Sequence, residues 1–469
     1  MNRVTKGSTC GVIAVTLAIF MLLVLVSRAA AAETVLDAYI RQALDSNLAL
    51  RQQDFSYEKS VAELHEARGL FLPSLDILGR YTRADGGRAF EFPVGDMVNP
   101  IHDALNQLTG EERFPTDVPN QNITFLRERE HETKLEVIQP IFQPAVYYNY
   151  RLRANLKDVE KAARDQFKHD LVMEVRRAYF DYLGAAAFVD LAARTEDLLV
   201  ENLRVSQSLF DNGQATRDVV YRAQAELSRV RQSRADAEKG EYLARAYFNV
   251  LLNRPQDEHI DSVTLPDELP DPQLTLSQAI DRALEKRLEV VQIEKGIEGA
   301  GNAVKLARTG YVPGLTFAFD YGFEGEDFRI SGEDDFWTAS LVLNWNLFDG
   351  LQREARVSRA QAEKNRLYTR KDEIEQQMEL EVRDAHRSLV VAKQNVGTSA
   401  DEVRSARQSF EIVSRKFEEG VASQVEFIDA RTAMTRAETN QIVAVYNYLR
   451  SYAQFERVTA LYPIPEDDQ

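Results

Sequence analysis

The feature that most limits what this chain can fold into is a repetition of its own plan. Leu36–Tyr81 falls on Leu276–Tyr321 without a gap, with Leu36/Leu276, Ala43/Ala283, Leu44/Leu284, Leu48/Leu288, Gln52/Gln292, Ala67/Ala307, Arg68/Arg308, Pro73/Pro313 and Leu75/Leu315 identical. Farther on, Ile141-Phe142 corresponds to Leu347-Phe348, Glu174-Val175-Arg176 to Glu381-Val382-Arg383, Phe210 to Phe417 and Gly213 to Gly420. Two units of one design follow each other, residues 33–262 and 275–469. They are joined by residues 263–274 and the Pro-rich "LPDELPDPQL" at Leu265–Leu274.

Within each unit the hydrophobic period changes twice. From Leu36 and from Leu276 it is helical. After Pro73 and Pro313 it becomes two, because proline disfavours helix in the residue before it and opens a strand without losing a ladder bond. In "LTFAFDYGF", Leu315, Phe317, Phe319, Tyr321 and Phe323 share one face, and Thr316, Ala318, Asp320 and Gly322 the other. "TASLVLNWNLF" sets Ala339, Leu341, Leu343, Trp345 and Leu347 against Ser340, Asn344 and Asn346, and its counterpart sets Leu135, Val137 and Ile141 against Lys134 and Glu136. The expected strands are 74–83, 132–142, 314–323 and 338–348. Each has about ten residues, enough to cross a bilayer as a tilted β-strand.

The period then returns to helical for two long hairpins, 145–252 and 350–461. Ile374, Met378, Val382, Ala385, Leu389, Ala392, Val396, Ala400, Val403, Ala406, Phe410, Val413 and Phe417 are spaced three or four apart. At 1.5 Å per residue the outgoing helix extends about 100 Å. The turns "DNGQAT" (Asp211–Thr216) and "FEEGVAS" (Phe417–Ser423) end these helices, with Gly213 and Gly420 suited to the left-handed position of a helix stop. Each return helix is shorter than its outgoing partner. The missing length matches the helix before the proline, Asp45–Gly69 in the first unit, so two rod pairs per chain are expected.

Four strands are too few to close a barrel and leave two edges open. A soluble sheet alternates in the same way. Here the apolar face is rich in aromatics, as in outer-membrane barrels, and three copies would supply twelve strands with no free edge.

The termini and composition agree with export. Arg3 and Lys6, the apolar run Val12–Val26 and the small residues Ala29–Ala32 read as a signal peptide over residues 1–32; the run is short for a membrane anchor, and no stop-transfer pattern follows it. Cys10 precedes that run and leaves with it, so the mature chain has no thiol for a disulfide, a zinc-thiolate site or a nucleophile. The net charge of −17, with no basic stripe, argues against nucleic acid. The six histidines are scattered, and no HExxH spacing, phosphate-cradling loop or GxSxG elbow appears; no catalytic role or cofactor is expected.

The duplication, the helix–proline–strand junctions at Pro73 and Pro313, strand pairs ending in "PIF" (Pro140–Phe142) and "NLFDG" (Asn346–Gly350), and the glycine-centred turns resemble the TolC-like outer-membrane efflux proteins over essentially the whole mature chain. That resemblance implies a mainly α protein with membrane β structure: a homotrimer whose twelve-stranded outer-membrane barrel continues into a periplasmic α-helical barrel. It implies a periplasmic adaptor (membrane fusion) protein and an inner-membrane pump of RND or ABC type as partners, outer-membrane lipid as surroundings, and passive exit of substrate as function. A periplasmic coiled-coil protein without a channel is the alternative, and the paired strands oppose it.

Several residues acquire expectations from the same resemblance. Glu426 and Asp429, at i and i+3 past the second turn, match positions of acids that ring the periplasmic mouth. Threefold symmetry would make six carboxylates, attractive to cations; a solvated charged face is the plain alternative. Their first-unit equivalents are Val219 and Arg222. Gly213, Thr216, Gly420 and Ser423 mark the adaptor-docking tips. A tyrosine–arginine lock common in the family is absent, with Phe417 and Ala422 in those places opposite Asp218 and Val219; Arg217, Asp218 or Arg222 could supply another. The first outer loop, Arg83 to His131, is much longer than the second, Glu324–Phe336, and holds an expected small helix begun near Pro100. Drug efflux, protein secretion and metal export stay open, with the lack of Met or His clusters weighing against metal.

Overall fold

A computed structural model describes residues 35–125, 127–262, 269–272, 274–328 and 332–462. The expected signal peptide with Cys10, and positions 263–268 and 273 of the linker, lie outside the described residues. By packing, the chain divides into two units. One comprises Val61–Asn155 with Glu298–Asn365; the other comprises Leu156–Ile297 with the described residues up to Ser60 and from Arg366.

The first of these units carries one antiparallel sheet in the order β1 (Ser74–Arg83), β4 (Arg129–Phe142), β5 (Gly314–Gly325), β6 (Asp335–Asn344). Pro73 stands directly before β1 and Pro313 directly before β5. The register lines up residues of one character across all four strands. Ile77, Leu135, Tyr321 and Trp337 form one row, and Leu75, Val137, Phe319 and Ala339 the next. Between them, on the other face, runs the polar row Asp76, Glu136, Asp320 and Thr338, where Lys134 bridges Glu136 at 3.2 Å and Asp320 at 3.4 Å. The apolar face has no cover: Ile77 is 77% exposed and Leu341 65%. A face of this kind left to water would forfeit about 1.5–3 kcal/mol per large side chain, so its natural surroundings are apolar.

Two strand ends differ from the periodic expectation, and both have a cause. Ile141 does not continue the apolar row, because the register shifts between Pro140 and Phe142, and Phe142 pairs with Leu315 instead. Pro140 lacks the N–H that a regular ladder needs, which favours a bulge there. The last strand stops at Asn344 rather than 348. Arg353, from the helix that follows, donates to the carbonyls of Asn346 (2.7 Å), Leu347 (2.9 Å) and Gly310 (3.0 Å), taking the acceptors that a continued strand would offer. Trp345 turns its indole N–H to the carbonyl of Tyr311 at 3.2 Å.

The long connection between β1 and β4 holds a short ladder, β2 (Ala89–Phe92) with β3 (Gln121–Thr124), that the alternation did not reveal, and a helix α3 (Val94–Thr109). The helix does not begin near Pro100, which lies inside it. Pro93 supplies the first acceptor, to Met97 N–H at 3.1 Å, so proline in the second turn removes one later bond without ending the helix.

Among the described residues, four helices lie wholly within the helical unit and four others lie partly within it. In order the remaining helices are α1 (Val35–Ser46), α2 (Leu48–Gly69), α4 (Pro144–Asp211), α5 (Arg217–Leu251), α6 (Leu276–Lys286), α7 (Leu288–Arg308), α8 (Gln352–Glu418) and α9 (Gln424–Val458). The duplication produces the same core twice. Ile40 and Ala43 of α1 pack with Val175 and Tyr179 of α4 and Phe248 of α5. Ala279 and Ala283 of α6 pack with Val382 and Ala385 of α8 and Phe455 of α9.

The helix that begins at Val35 is interrupted at Asn47, and its twin from Leu276 at Arg287. Neither break uses proline or glycine. Asn47 caps α2 by accepting from Ala49 N–H (2.9 Å) and Leu50 N–H (3.0 Å) and donates to Leu251 O (2.8 Å). Arg287 sits in the equivalent place but holds Glu381 (2.8 Å) and Glu289 (2.6 Å).

Candidate functional site: the paired helical tips

The two tips are the same backbone turn. In the first, Gly213 has φ 70° and donates to Phe210 O (2.9 Å), while Gln214 and Ala215 both donate to Leu209 O. In the second, Gly420 has φ 71° and donates to Phe417 O (3.0 Å), while Val421 and Ala422 both donate to Lys416 O. Glycine permits the left-handed residue in each.

The helix starts that follow differ. Ser423 caps α9: its hydroxyl accepts from Glu426 N–H (3.3 Å), and the Glu426 carboxylate accepts from Ser423 N–H (2.7 Å) and hydroxyl (2.8 Å). These bonds, the backbone one foremost, hold the Glu426 carboxyl below the usual glutamate range, so it is charged at neutral pH. In the first tip the third helical position is Val219, which has no acceptor, and Thr216 makes no side-chain cap; its hydroxyl donates to Asp218 instead. Glu426 and Asp429 are both exposed near the start of α9. Glu426 thus has a local task, and Asp429 is the freer charge of the two.

A cleft of about 960 Å³ lies between the tips, lined by Gly213, Gln214 and Thr216 on one side and Gly420, Val421 and Ser423 on the other. The charged groups Arg217, Asp218 and Arg222 are engaged on their own side of it. Arg222 pairs with Asp218 on its own helix at 3.5 Å, and Arg217 lies over Tyr221. Phe417 is buried against Phe427 and joins Phe410 in an aromatic cluster.

The tie between the hairpins is elsewhere. Arg431 of α9, 5% exposed, meets Glu226 of α5, 9% exposed, at 2.7 Å. Two turns nearer the tip Gln424 donates to Asn202 of α4 at 2.9 Å. None of these four residues was singled out from the sequence. The available signal was a charge on an apolar stripe: Glu226 falls within the Ala223–Leu227–Val230 spacing, and Arg431 four residues after Phe427.

No group of three or more His, Cys, Asp or Glu residues among the described residues is placed to hold a metal, and no described helix is long and apolar enough to cross a membrane. An uncovered apolar sheet with open edges, together with long helical hairpins, defines the structural class of this chain. Sequence comparison narrows the class: residues 279–460 match the family model described as outer membrane efflux protein. The chain is 19% identical to the outer membrane protein TolC of Escherichia coli over 89% of its own length and 80% of that protein's. It is 28% identical to Protein CyaE of Bordetella pertussis over 42% of its length, and this match spans 41% of CyaE. Among solved structures, the CmeC outer membrane channel of Campylobacter jejuni superposes with a TM-score of 0.75 at 15% identity, covering 91% of this chain and 85% of that one. The fold is thus similar to that of this channel, and the sequence of the second repeat is similar to the outer membrane efflux proteins.

Proposed function

We propose that three copies of this chain form a channel-tunnel of the outer membrane, through which substrates leave passively from a tripartite efflux or secretion complex. The four-stranded sheet carries the reading: its apolar face is uncovered, its other face bears the row Asp76–Glu136–Asp320–Thr338, and β1 and β6 each have an edge unpaired among the described residues. Pairing β6 of one copy with β1 of the next removes every edge and leaves polar side chains to face the lumen. Exposed Trp345, Phe348, Tyr311 and Tyr147 near the strand–helix junctions supply the aromatic belt that such barrels set at the lipid headgroups.

The long hairpins continue the barrel into the periplasm, and the tips around Gly213, Thr216, Gly420 and Ser423 dock a periplasmic adaptor that connects to an inner-membrane pump. Glu426 and Asp429 line the periplasmic mouth. Native mass measurement of the detergent-extracted protein should report three chains; a stable monomer with a closed barrel overturns the reading. Photocrosslinkers at Gln214 or Val421 should capture an adaptor from the periplasm, and capture by outer-surface probes alone would invert the topology.

A further inference from the structure

The connection between β1 and β4 contains a helix turned inside out. On α3, Gly95, Asn99, His102 and Asn106 form the packed side. Asn99 accepts from Val118 N–H (2.9 Å) and donates to Val118 O (3.0 Å). Asn106 accepts from the N–H groups of Arg113 and Phe114 (both 2.9 Å) and donates to Phe114 O (2.7 Å), while His102 Nδ1 lies 2.7 Å from Pro115 O. The return segment comes so close that a Cβ on Gly95 would stand 2.1 Å from Val118 O.

At 100° per residue, Met97, Ile101 and Leu108 fall within about 40° of one another on the opposite side of the helix. All three are exposed, Leu108 by 84%. An ordinary surface helix buries its apolar stripe and shows its amides to water; this one does the reverse over three turns. The neighbouring ladder exposes Phe90 and Phe92 as well. Such a surface is built to be covered.

Lipid is a poor occupant. Helices that lie in a membrane interface carry Lys or Arg along their polar margins, whereas α3 has neither and bears Asp96 and Asp103. The chain path favours a second copy. The connection leaves the sheet at Arg83, the end of β1, and β1 is an open edge. In the trimer proposed above, on which this inference rests, that edge pairs with the next copy, so the substructure emerges at the seam between subunits. We infer that the Met97–Ile101–Leu108 stripe docks on another copy of this chain and helps to seal the assembled barrel at its outer end.

The test uses the full chain with Cys10→Ser and Leu108→Cys, labelled with a benzophenone maleimide in outer-membrane vesicles. Illumination should shift the chain to the mass of two joined copies, with the crosslinked peptide mapping to the second copy. The same label at Gln107→Cys, off the stripe, should give little of this product. Equal yields from the two positions, a lipid adduct, or no adduct at Leu108→Cys would overturn the inference. Native mass on the same preparations separates the two levels. Three chains without the Leu108 adduct remove the docking contact and leave the trimer, whereas a single chain removes the trimer and the contact with it.

Discussion

Glu289 offers the most quantitative check on how the helical unit is held. It stands two residues past the break at Arg287, which binds it at 2.6 Å, and Arg457 of α9 binds it at 2.9 Å. Burial alone would raise its pKa. The hydrogen bond from Arg287, the charges of Arg457 and Arg287, and the hydrogen bond from Arg457 outweigh that and bring it from 4.5 to about 2. At 1.36 kcal/mol per pKa unit, the ionised form contributes about 3 kcal/mol to the folded state. A depressed carboxylate pKa stabilises above the unfolded value, and the contribution is lost as pH falls through the folded one. Glu289→Gln removes the charge and little volume. Both arginines keep another carboxylate: Arg287 retains Glu381 and Arg457 retains Asp170. At neutral pH the variant should therefore melt several degrees lower, followed by the helical circular-dichroism signal in detergent. Between pH 4.5 and about 2 the gap from the wild type should close. Burial and the Arg457 charge hold His169 below the ordinary histidine range in this neighbourhood; it is present in both proteins and cancels to first order. No gap at neutral pH, or a gap of the same size at pH 3, would refute the linkage.

Three further outcomes follow from the geometry. Glu426→Gln with Asp429→Asn should lower cation selectivity and weaken block by trivalent cations in planar bilayers while trimers still form, since glutamine can keep the capping box; unchanged selectivity and block would remove these residues from the mouth. Glu226→Leu leaves Arg431 buried without its partner and should cost about 3–5 kcal/mol, much of it recovered by adding Arg431→Met; a double-mutant cycle on thermal unfolding that shows no coupling would sink the tie between hairpins. In β5 a Cβ on Gly322 would lie 2.5 Å from Thr133 O and 2.8 Å from Lys134 Cα, so Gly322→Ala should abolish the heat-modifiable trimer in outer membranes, whereas Gly79→Ala, with nothing within 4 Å, should not.

What could be read from the sequence was whatever recurs along it. Strand alternation from Leu315 to Phe323 and helical spacing from Ile374 to Phe417 depend on which face is apolar, and a single sequence carries that directly. The glycines at 213 and 420 were equally legible, because the left-handed turn has a strong residue preference. What escaped is set by residues distant in the chain. The end of β6 is decided by Arg353 reaching back to Asn346 and Leu347, and the interruption at Asn47 by a cap that leaves the apolar period intact. Glu226 and Arg431 looked like ordinary charges until their helices were packed. The helix Val94–Thr109 starts earlier than the expectation from Pro100, because an interior proline in the second turn costs only one bond.

The unequal helix starts at the two tips also bear on how a complex can be counted. In a threefold ring of a duplicated chain the backbone turns around Gly213 and Gly420 repeat six times, so a partner gripping only that turn finds six equivalent berths. The Ser423–Glu426 box occurs once per chain, and Thr216–Asp218 alternates with it. A partner that senses this chemistry sees odd and even positions and fills three, or fills six in two poses. The stoichiometry of the assembled complex therefore reports which of the two, shared turn or individual cap, is being recognised.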